Sequence, residues 1–332
     1  MSDKGTILVT GGAGYVGSHI CEAVANAGFK VVVYDNFSNG HRIFAKFGEA
    51  VEGDIRDAEA LRAAFDAHKP KGVIHCAALI EVATSITDTA NYYDNNVGGA
   101  INLIRTAQES GVEAFVFSST CAVYGPPKRL PLDETHPFGP ISPYGRTKMM
   151  VEQVLEDLRE HHAFPAISLR YFNASGSHWE SGIGEKHDPE THAIPLAIYA
   201  AQGRRAGFKI MGTDYDTPDG TAIRDYIHVL DLADAHVRAI EYLLAGNKGD
   251  VFNLGTGTGS SVRELVDTIS DVSGKPFDVA EVDRRAGDPP SLVADNSKAR
   301  DVLGWKPTRT LTDVVESAWH WHSEVERTLF QV

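Results

Sequence analysis

Thr6-Ile-Leu-Val-Thr-Gly-Gly-Ala-Gly-Tyr-Val-Gly17 joins a short apolar run to a helical pattern extending from Gly14 to Ala27, with Gly11, Gly14 and Gly17 in the junction. Each glycine has its own task in such a turn: tight turning, close approach of the backbone to a pyrophosphate, and close packing of helix on strand. A helix amino terminus placed there offers free N–H groups and a positive dipole end to phosphates. A lone glycine pattern marks only a turn. Here a strand precedes it, a helix follows, and a second strand, Val31-Val-Val33, runs into Tyr34-Asp35, which completes a dinucleotide-binding unit. Asp35 stands where a carboxylate accepts hydrogen bonds from ribose hydroxyls and repels a 2′-phosphate, so NAD is expected in preference to NADP. A solvated turn acid is the plainer reading of Asp35, since Asn36, Ser38 and Asn39 form a turn in any case. Asp54 and Ile55, after a short third strand, are placed to hold the adenine amino group and cover its ring.

Outward from this unit, short β-branched runs keep alternating with amphipathic segments. A helix near Ala58 to His68 is followed by a strand Val73-Ile-His75, a helix near Asn91 to Glu109, a strand Phe115-Val-Phe117, a helix from Pro143 to His161 and a strand Ile167-Ser-Leu169. Strands that are apolar on both faces and alternate with helices form a parallel sheet covered on both sides. The fold class is therefore α/β, a Rossmann-type doubly wound parallel sheet with a smaller α/β substrate-binding domain. From about Asn173 the pattern loosens, with Gly, Ser and charge in His178 to Glu190 and Pro and Gly in Asp214 to Gly220. A helix near Leu230 to Leu244, a strand Val251-Phe-Asn-Leu254 and helices near Val262 to Ser270 and Asp313 to Val325 follow. A nucleotide domain is expected over 1–172 and a smaller domain over 173–332, with some segments interleaved. The smaller one should pack on the carboxyl edge of the sheet, where such folds bind ligands.

A chain of 332 residues suffices for a large core. Its net charge of -14 leaves no basic surface for nucleic-acid phosphates or an anionic membrane, so an anionic small substrate needs a local basic pocket. Cys21, Cys76 and Cys121 form an odd set inside apolar runs, which fits small buried hydrophobes in a reducing compartment and not a disulfide framework. Their spacing matches no zinc motif, and no metal centre is expected. The run Thr6–Thr10 is too short for a signal segment and no stretch is long enough to span a bilayer, so the cytoplasm is the expected location.

Ser142-Pro-Tyr-Gly-Arg-Thr-Lys148 reads as a helix start, with Ser142 as N-cap and Pro143 at the first helical position. Tyr144 and Lys148 then fall one turn apart on one face. A phenol ionises at a pH of about 10 and acts as a base near neutrality only if its anion is stabilised. An adjacent ammonium and a nicotinamide cation both do that. Alone, Tyr-x-x-x-Lys is an ordinary polar face. Beside a dinucleotide turn, and with Thr120 closing Ser118-Ser-Thr120 at the end of a core strand, it makes a catalytic triplet of Tyr144, Lys148 and Thr120.

In these pieces the chain resembles the extended short-chain dehydrogenase/reductase superfamily and, within it, the UDP-glucose 4-epimerase family. The resemblance covers nearly the whole chain and includes Tyr92-Tyr-Asp-Asn-Asn-Val97, Ser118 to Gly125, Tyr171-Phe-Asn173, Arg224-Asp-Tyr-Ile-His-Val229, Asn253-Leu-Gly-Thr-Gly257 and Arg284-Arg-Ala-Gly-Asp288. It implies NAD held by Gly11, Gly14, Tyr15, Val16, Gly17, Asp35, Asn36, Asn39, Asp54, Ile55, Cys76, Ala77, Ala78, Asn95, Tyr144, Lys148 and Phe172. It implies a UDP-sugar held by Thr120, Asn173, His192, Ala193, Lys209, Met211, Arg224, Arg285, Asp288 and Leu292, with the guanidinium forks of Arg224 and Arg285 on the diphosphate. The plain alternatives are a core aromatic for Phe172, a helix-start residue for Asn95 and surface ion pairs for the two arginines. The implied chemistry interconverts UDP-glucose and UDP-galactose. Tyr144, its pKa lowered by Lys148, takes the proton of the 4-hydroxyl while Thr120 bonds the 4-oxygen and C4 hydride passes to NAD. The 4-keto sugar then turns about its pyrophosphate tether and is reduced on the other face.

Three places depart from the family's pattern. Ile80 replaces a cofactor-contacting lysine, Thr191-His192-Ala193 replaces an asparagine pair with leucine, and Leu292 has intermediate bulk where a residue decides whether a 2-acetamido group fits. UDP-glucose and UDP-galactose are thus the expected main pair, with weak use of the N-acetyl forms. A 4,6-dehydratase is disfavoured because Cys121-Ala122, not an acid pair, follows Thr120. A decarboxylase and a UDP-pentose or UDP-N-acetylhexosamine 4-epimerase stay open, and an NAD-sensing regulator would be expected to lack Tyr144 or Lys148. Apolar residues cover more than one stripe at Val97, Ala100, Ile101, Leu103, Ile104 and Ala107, and again at Met149, Met150, Val154, Leu155 and Leu158. These helices resemble the pair that forms the family's homodimer.

Overall fold

Three successive aliphatic residues such as Ile7-Leu8-Val9 are stable in a strand only where both of its faces are covered. In the computed structural model, which describes residues 4–285 and 287–331, all three are fully buried. Ala286, within the Arg284–Asp288 motif, lies outside the described residues, as do residues 1–3 and 332. Thr6–Thr10 (β1) leads through the glycine turn into Tyr15–Asn26 (α1), Lys30–Asp35 (β2), Glu49–Glu52 (β3), Ala58–His68 (α2) and Gly72–His75 (β4). The short helices Val82–Thr87 (α3) and Thr89–Tyr93 (α4) precede Ala100–Glu109 (α5), Ala114–Thr120 (β5), Pro143–His162 (α6) and Ala166–Tyr171 (β6). Then come Asn173–Ser175 (β7), Ala193–Ala201 (α7), Phe208–Met211 (β8), Ile223–Arg224 (β9), Tyr226–His228 (β10), Val229–Leu244 (α8) and Val251–Leu254 (β11). The chain continues through Ser260–Ser261 (β12), Val262–Ser273 (α9), Val279–Val282 (β13), Ser291–Leu292 (β14), Ser297–Leu303 (α10), Leu311–His320 (α11) and Glu326–Phe330 (α12).

Seven strands form a parallel sheet in the order β11-β6-β5-β4-β1-β2-β3, the expected doubly wound arrangement. The order reverses between β1 and β4, so the carboxyl ends of these two strands flank the crevice in which such sheets take ligands. Alternate residues along each strand serve opposite cores. Ile7, Val9, Val33, Ile74 and Val116 meet α1 and α8, whereas Leu8, Val32, Val73, Phe115 and Phe117 meet α2, α5 and α6.

The second half of the chain does not stay apart from the first. β11 pairs with β6 and α8 packs beside α1, so residues 229–254 return to the large sheet beyond position 172. A separate core is built from α7, β8, α9 and α11. The single helix expected from Asn91 to Glu109 is interrupted by a π turn at Asp94–Gly99. Asn96, within that turn, accepts the Leu79 amide at 2.8 Å and donates to the Leu79 carbonyl at 2.9 Å, a long-range tie that local periodicity does not report. The last expected helix starts at Leu311, where Thr310 and Asp313 cap each other, and passes through a second π turn at Trp321–Val325. No described helix is long and apolar enough to cross a membrane.

Candidate active site

Gly11 has φ +69°, and a Cβ there would come within 2.6 Å of the Ala77 amide nitrogen. A Cβ on Gly17 would fall 2.1 Å from the Gly11 carbonyl oxygen, so only glycine lets α1 begin this close to β1. Gly14 caps α1 without a side-chain hydrogen bond, and no acid stands in the first turn. The amides at this helix start are thus left for an outside anion, in space that side chains would fill; the cradle fits a dinucleotide pyrophosphate. The end of β4 closes it, with the Cys76 amide on the Thr10 carbonyl at 3.0 Å and half-buried Ala77 and Ala78 beyond.

Asp35 accepts the Ala13 amide at 3.0 Å and the Phe37 amide at 2.8 Å. Burial raises its pKa, and these two amides and His41 oppose the shift. Asn36 donates to Asp54 at 2.9 Å, and Asn39 is exposed beside the turn. Arg56, absent from the expected set, grips Asp54 through Nε at 3.0 Å and Nη2 at 2.8 Å, and chiefly this holds the carboxyl well below the usual carboxylate range. Ile55 packs so closely on Gly99 that a Cβ there would come within 2.6 Å of it. Tyr15 turns its hydroxyl to the Gly176 carbonyl at 2.6 Å, and Val16 packs on the first core. Asn95 donates to Asn96 at 3.0 Å. Phe172 is buried with Val123, Tyr124, Leu132 and Ala294.

Ser142 accepts the Gly145 amide at 3.1 Å and Pro143 takes the first turn, which starts α6 as its sequence requires. Lys148, 4% exposed, donates to the Ser118 carbonyl at 2.8 Å and lies 4.8 Å from the Phe117 ring centroid. Burial lowers its pKa to about 8, and Cys76 and Glu152 oppose this. The Thr120 side chain stands near the Tyr144 phenol and accepts the Ala122 amide at 3.2 Å. Burial pushes the phenol's pKa up while the nearby Thr120 hydroxyl pulls it down. Tyr144, Thr120 and Lys148 therefore come together at the carboxyl end of β5, with the ammonium turned toward Ser118 and the phenol protonated until a further cation arrives.

Under α6 lies a network that sequence reasoning does not single out. Glu152, one turn beyond Lys148, accepts Arg170 Nε at 3.0 and 2.9 Å, Arg170 Nη2 at 2.5 Å and the Ser119 hydroxyl. Arg170 also donates to the Tyr124 hydroxyl at 2.9 Å, and Tyr124 donates to Asn253 at 2.6 Å. These bonds fix α6 to β5, β6 and β11. The available signal was an acid four residues past Lys148 on the face that must be buried. His236 Nδ1 donates to the Leu232 carbonyl at 2.8 Å, so its Nε2 accepts the Ser118 hydroxyl at 2.9 Å.

Among the residues expected to hold the substrate, Leu292 of β14 pairs with Arg224 of β9. Arg224 donates to the carbonyls of Ile223 at 2.8 Å and Pro289 at 3.0 Å, with Asp288 3.7 Å away. The Asp288 amide bonds the Arg285 carbonyl, and Arg285 reaches Met211 Sδ at 3.5 Å; Met211 and Lys209 share the exposed face of β8. These six residues form one rim. Asn173 donates to the Asp225 carbonyl at 3.2 Å. His192 is partnered elsewhere, with Glu185 at 2.8 Å and Glu190 at 3.1 Å, and Ala193 begins α7 against the separate core. Those two glutamates and nearby His187 were not in the expected set, and the alternation Glu-x-His-x-x-Glu-x-His is the signal that points to them.

Residues 7–255 match the NAD dependent epimerase/dehydratase family. A UDP-glucose 4-epimerase of Rhizobium leguminosarum bv. trifolii is 58% identical over 319 residues, 96% of this chain and 98% of that protein. The solved structure of UDP-glucose 4-epimerase from Brucella ovis in complex with NAD is similar at TM-score 0.93 and 46% identity, covering 96% of this chain and 98% of that one. The enzyme of Stenotrophomonas maltophila, solved with bound NAD and formylated UDP-arabinopyranose, gives a TM-score of 0.95 at 38% identity over 97% and 99% of the two chains.

Proposed function

Because the chain belongs to the NAD dependent epimerase/dehydratase family, we propose that it interconverts UDP-glucose and UDP-galactose through transient oxidation at the sugar C4. It is an NAD-dependent enzyme of the isomerase class. When bound, NAD supplies a reversible acceptor for the C4 hydride and a cationic ring that favours the Tyr144 phenolate.

The chain's own residues do the rest. Gly11, Gly14 and Gly17 leave backbone amides free to hold the pyrophosphate, and Asp35 takes the ribose hydroxyls. Tyr144 removes the proton of the sugar 4-hydroxyl and later returns it, while Thr120 holds the 4-oxygen within reach. Lys148 adds positive charge beside Tyr144 and bonds the nicotinamide ribose. Arg224 and Arg285 grip the UDP diphosphate, so the nucleotide is held firmly and the hexose loosely enough to turn over. The convergence of Thr120, Tyr144 and Lys148 beside the glycine cradle, in a chain 58% identical to a UDP-glucose 4-epimerase, carries this reading.

Purified protein given UDP-galactose should form UDP-glucose without net reduction of added NAD, as followed by product identification and absorbance. Stoichiometric reduction of the cofactor would identify a dehydrogenase instead. Leu292 packs on the cluster that holds Tyr124 and Phe172, which supports a preference for hexoses without the 2-acetamido group. Equal kcat/KM on the N-acetylated pair would refute that preference. Half-buried Ile101 on α5 and Met150 on α6, which lie outside the apolar clusters of the described residues, support pairing of two copies through these helices. The unpaired cysteines support a cytoplasmic location.

A further inference from the structure

Glu185-Lys-His-Asp-Pro-Glu-Thr-His192 precedes α7 and carries two carboxylates and two imidazoles. The loop folds so that one donor atom from each of Glu185, His187, Glu190 and His192 lies within 4.8 Å of the others. His192 Nδ1 is 2.8 Å from Glu185 Oε1 and 3.1 Å from Glu190 Oε1. His187 Nδ1 is 3.3 Å from Glu185 Oε1 and 3.7 Å from Glu190 Oε2. The Glu190 side chain is only 6% exposed, and its Oε2, like His187 Nδ1, makes no hydrogen bond among the described residues. Two buried polar atoms that are neighbours yet too far apart for a hydrogen bond call for a shared third partner.

We propose that these four side chains bind one zinc ion. Nitrogen and oxygen donors at zinc distances in a tetrahedron lie about 3.3 Å from one another. The four carboxylate–imidazole separations, 2.8 to 3.7 Å, lie on either side of that edge, and the four donors together stay within 4.8 Å, a spread that a bound ion would draw in. Two carboxylates neutralise a dication, and two imidazoles favour zinc over calcium or magnesium, which take oxygen donors. Four protein ligands make a closed site, so the ion is a structural clip and not a catalyst.

Its position gives the clip a purpose. The His187 ring stands edge-on to Tyr15, the first residue of α1, with centroids 6.2 Å apart. His192 is the N-cap of α7, the helix that opens the separate core. Trp321 Nε1 donates to the Glu185 carbonyl at 2.7 Å and His41 Nε2 to the Lys186 carbonyl at 3.1 Å, so the loop backbone is held from both sides. Zinc at this point ties the cofactor cradle to the start of α7. Cysteine spacings alone cannot reveal such a site, because none of its ligands is a cysteine.

The test uses the full chain, stripped with a chelator, incubated with zinc sulfate and desalted. Metal analysis should find one zinc per chain, and the thermal midpoint should rise on reloading. The double variant His187→Gln with Glu190→Gln should bind zinc at least about 100-fold more weakly, beyond the loss seen when only a supporting contact is removed. Substoichiometric zinc in the wild type, or equal retention by the variant, would overturn the proposal. Should the variant fail to fold, cobalt loading of the wild type decides. Intense visible bands of a tetrahedral ion support the site, whereas a pale octahedral spectrum or a thiolate charge-transfer band refutes it.

Discussion

Half-buried Tyr144 keeps its phenol in surroundings that resist ionisation, and the nearby Thr120 hydroxyl offsets that only in part. Its proton is therefore mobile only when cationic charge gathers beside it. A Tyr144→Phe variant should lose about 10²- to 10⁴-fold in kcat while keeping its bound NAD, measured by turnover and by cofactor content. Near-normal turnover would mean another base. Lys148, at about 8 against an ordinary 10.5, binds its proton more weakly in the fold than in the unfolded chain. Between those values the unfolded chain holds a proton that the folded one lacks, so this group makes stability rise with pH across that window. In NAD-stripped protein, Lys148→Met should be stabilised relative to wild type at a pH of about 7, and the gain should shrink by about pH 10. Urea midpoints at both values check this; a pH-independent gap would contradict it. At this scale the sequence made Tyr144 and Lys148 legible because four residues of helix bring them together. Arg56 carries no comparable signal, because nothing in the sequence around Asp54 shows that a guanidinium two residues on turns back to it.

The glycine turn and α1 act as one element. Gly17→Ala places a methyl group 2.1 Å from the Gly11 carbonyl, so the helix must leave its place on β1. We expect a loss of about 1 to 3 kcal/mol in stability and at least a 10-fold weaker hold on NAD, read by urea unfolding and cofactor titration. Unchanged NAD binding would mean that the pyrophosphate is not seated there. The start of α6 was equally legible, since Ser142 and Pro143 act within one turn. The π turn at Asp94–Gly99 was not, because Asn96 answers to Leu79, which lies outside its own helix. The same holds for Glu152, whose partner Arg170 lies on the next strand; breaking such a buried pair costs about 3 to 5 kcal/mol.

For the whole molecule, the half-buried apolar residues of α5 and α6 predict a dimer at micromolar concentration in sedimentation equilibrium. Ile101→Glu with Met150→Glu should shift it to monomer, and a monomeric wild type would contradict the pairing. The sequence by itself determined the cofactor turn, the alternation of strand and helix, the doubly wound class and the Tyr144–Lys148 pair. Each is set by residues within a few positions of one another, where propensity and periodicity operate. Only the tertiary structure decided that Val251–Leu254 returns to pair with β6, that Arg224 and Arg285 share a rim with Met211, and that four donors between Glu185 and His192 converge. The first two join segments far apart in the chain, chosen by which surfaces the complete fold can bury together. The third depends on the path of a loop held by Trp321 and His41, which no local preference fixes.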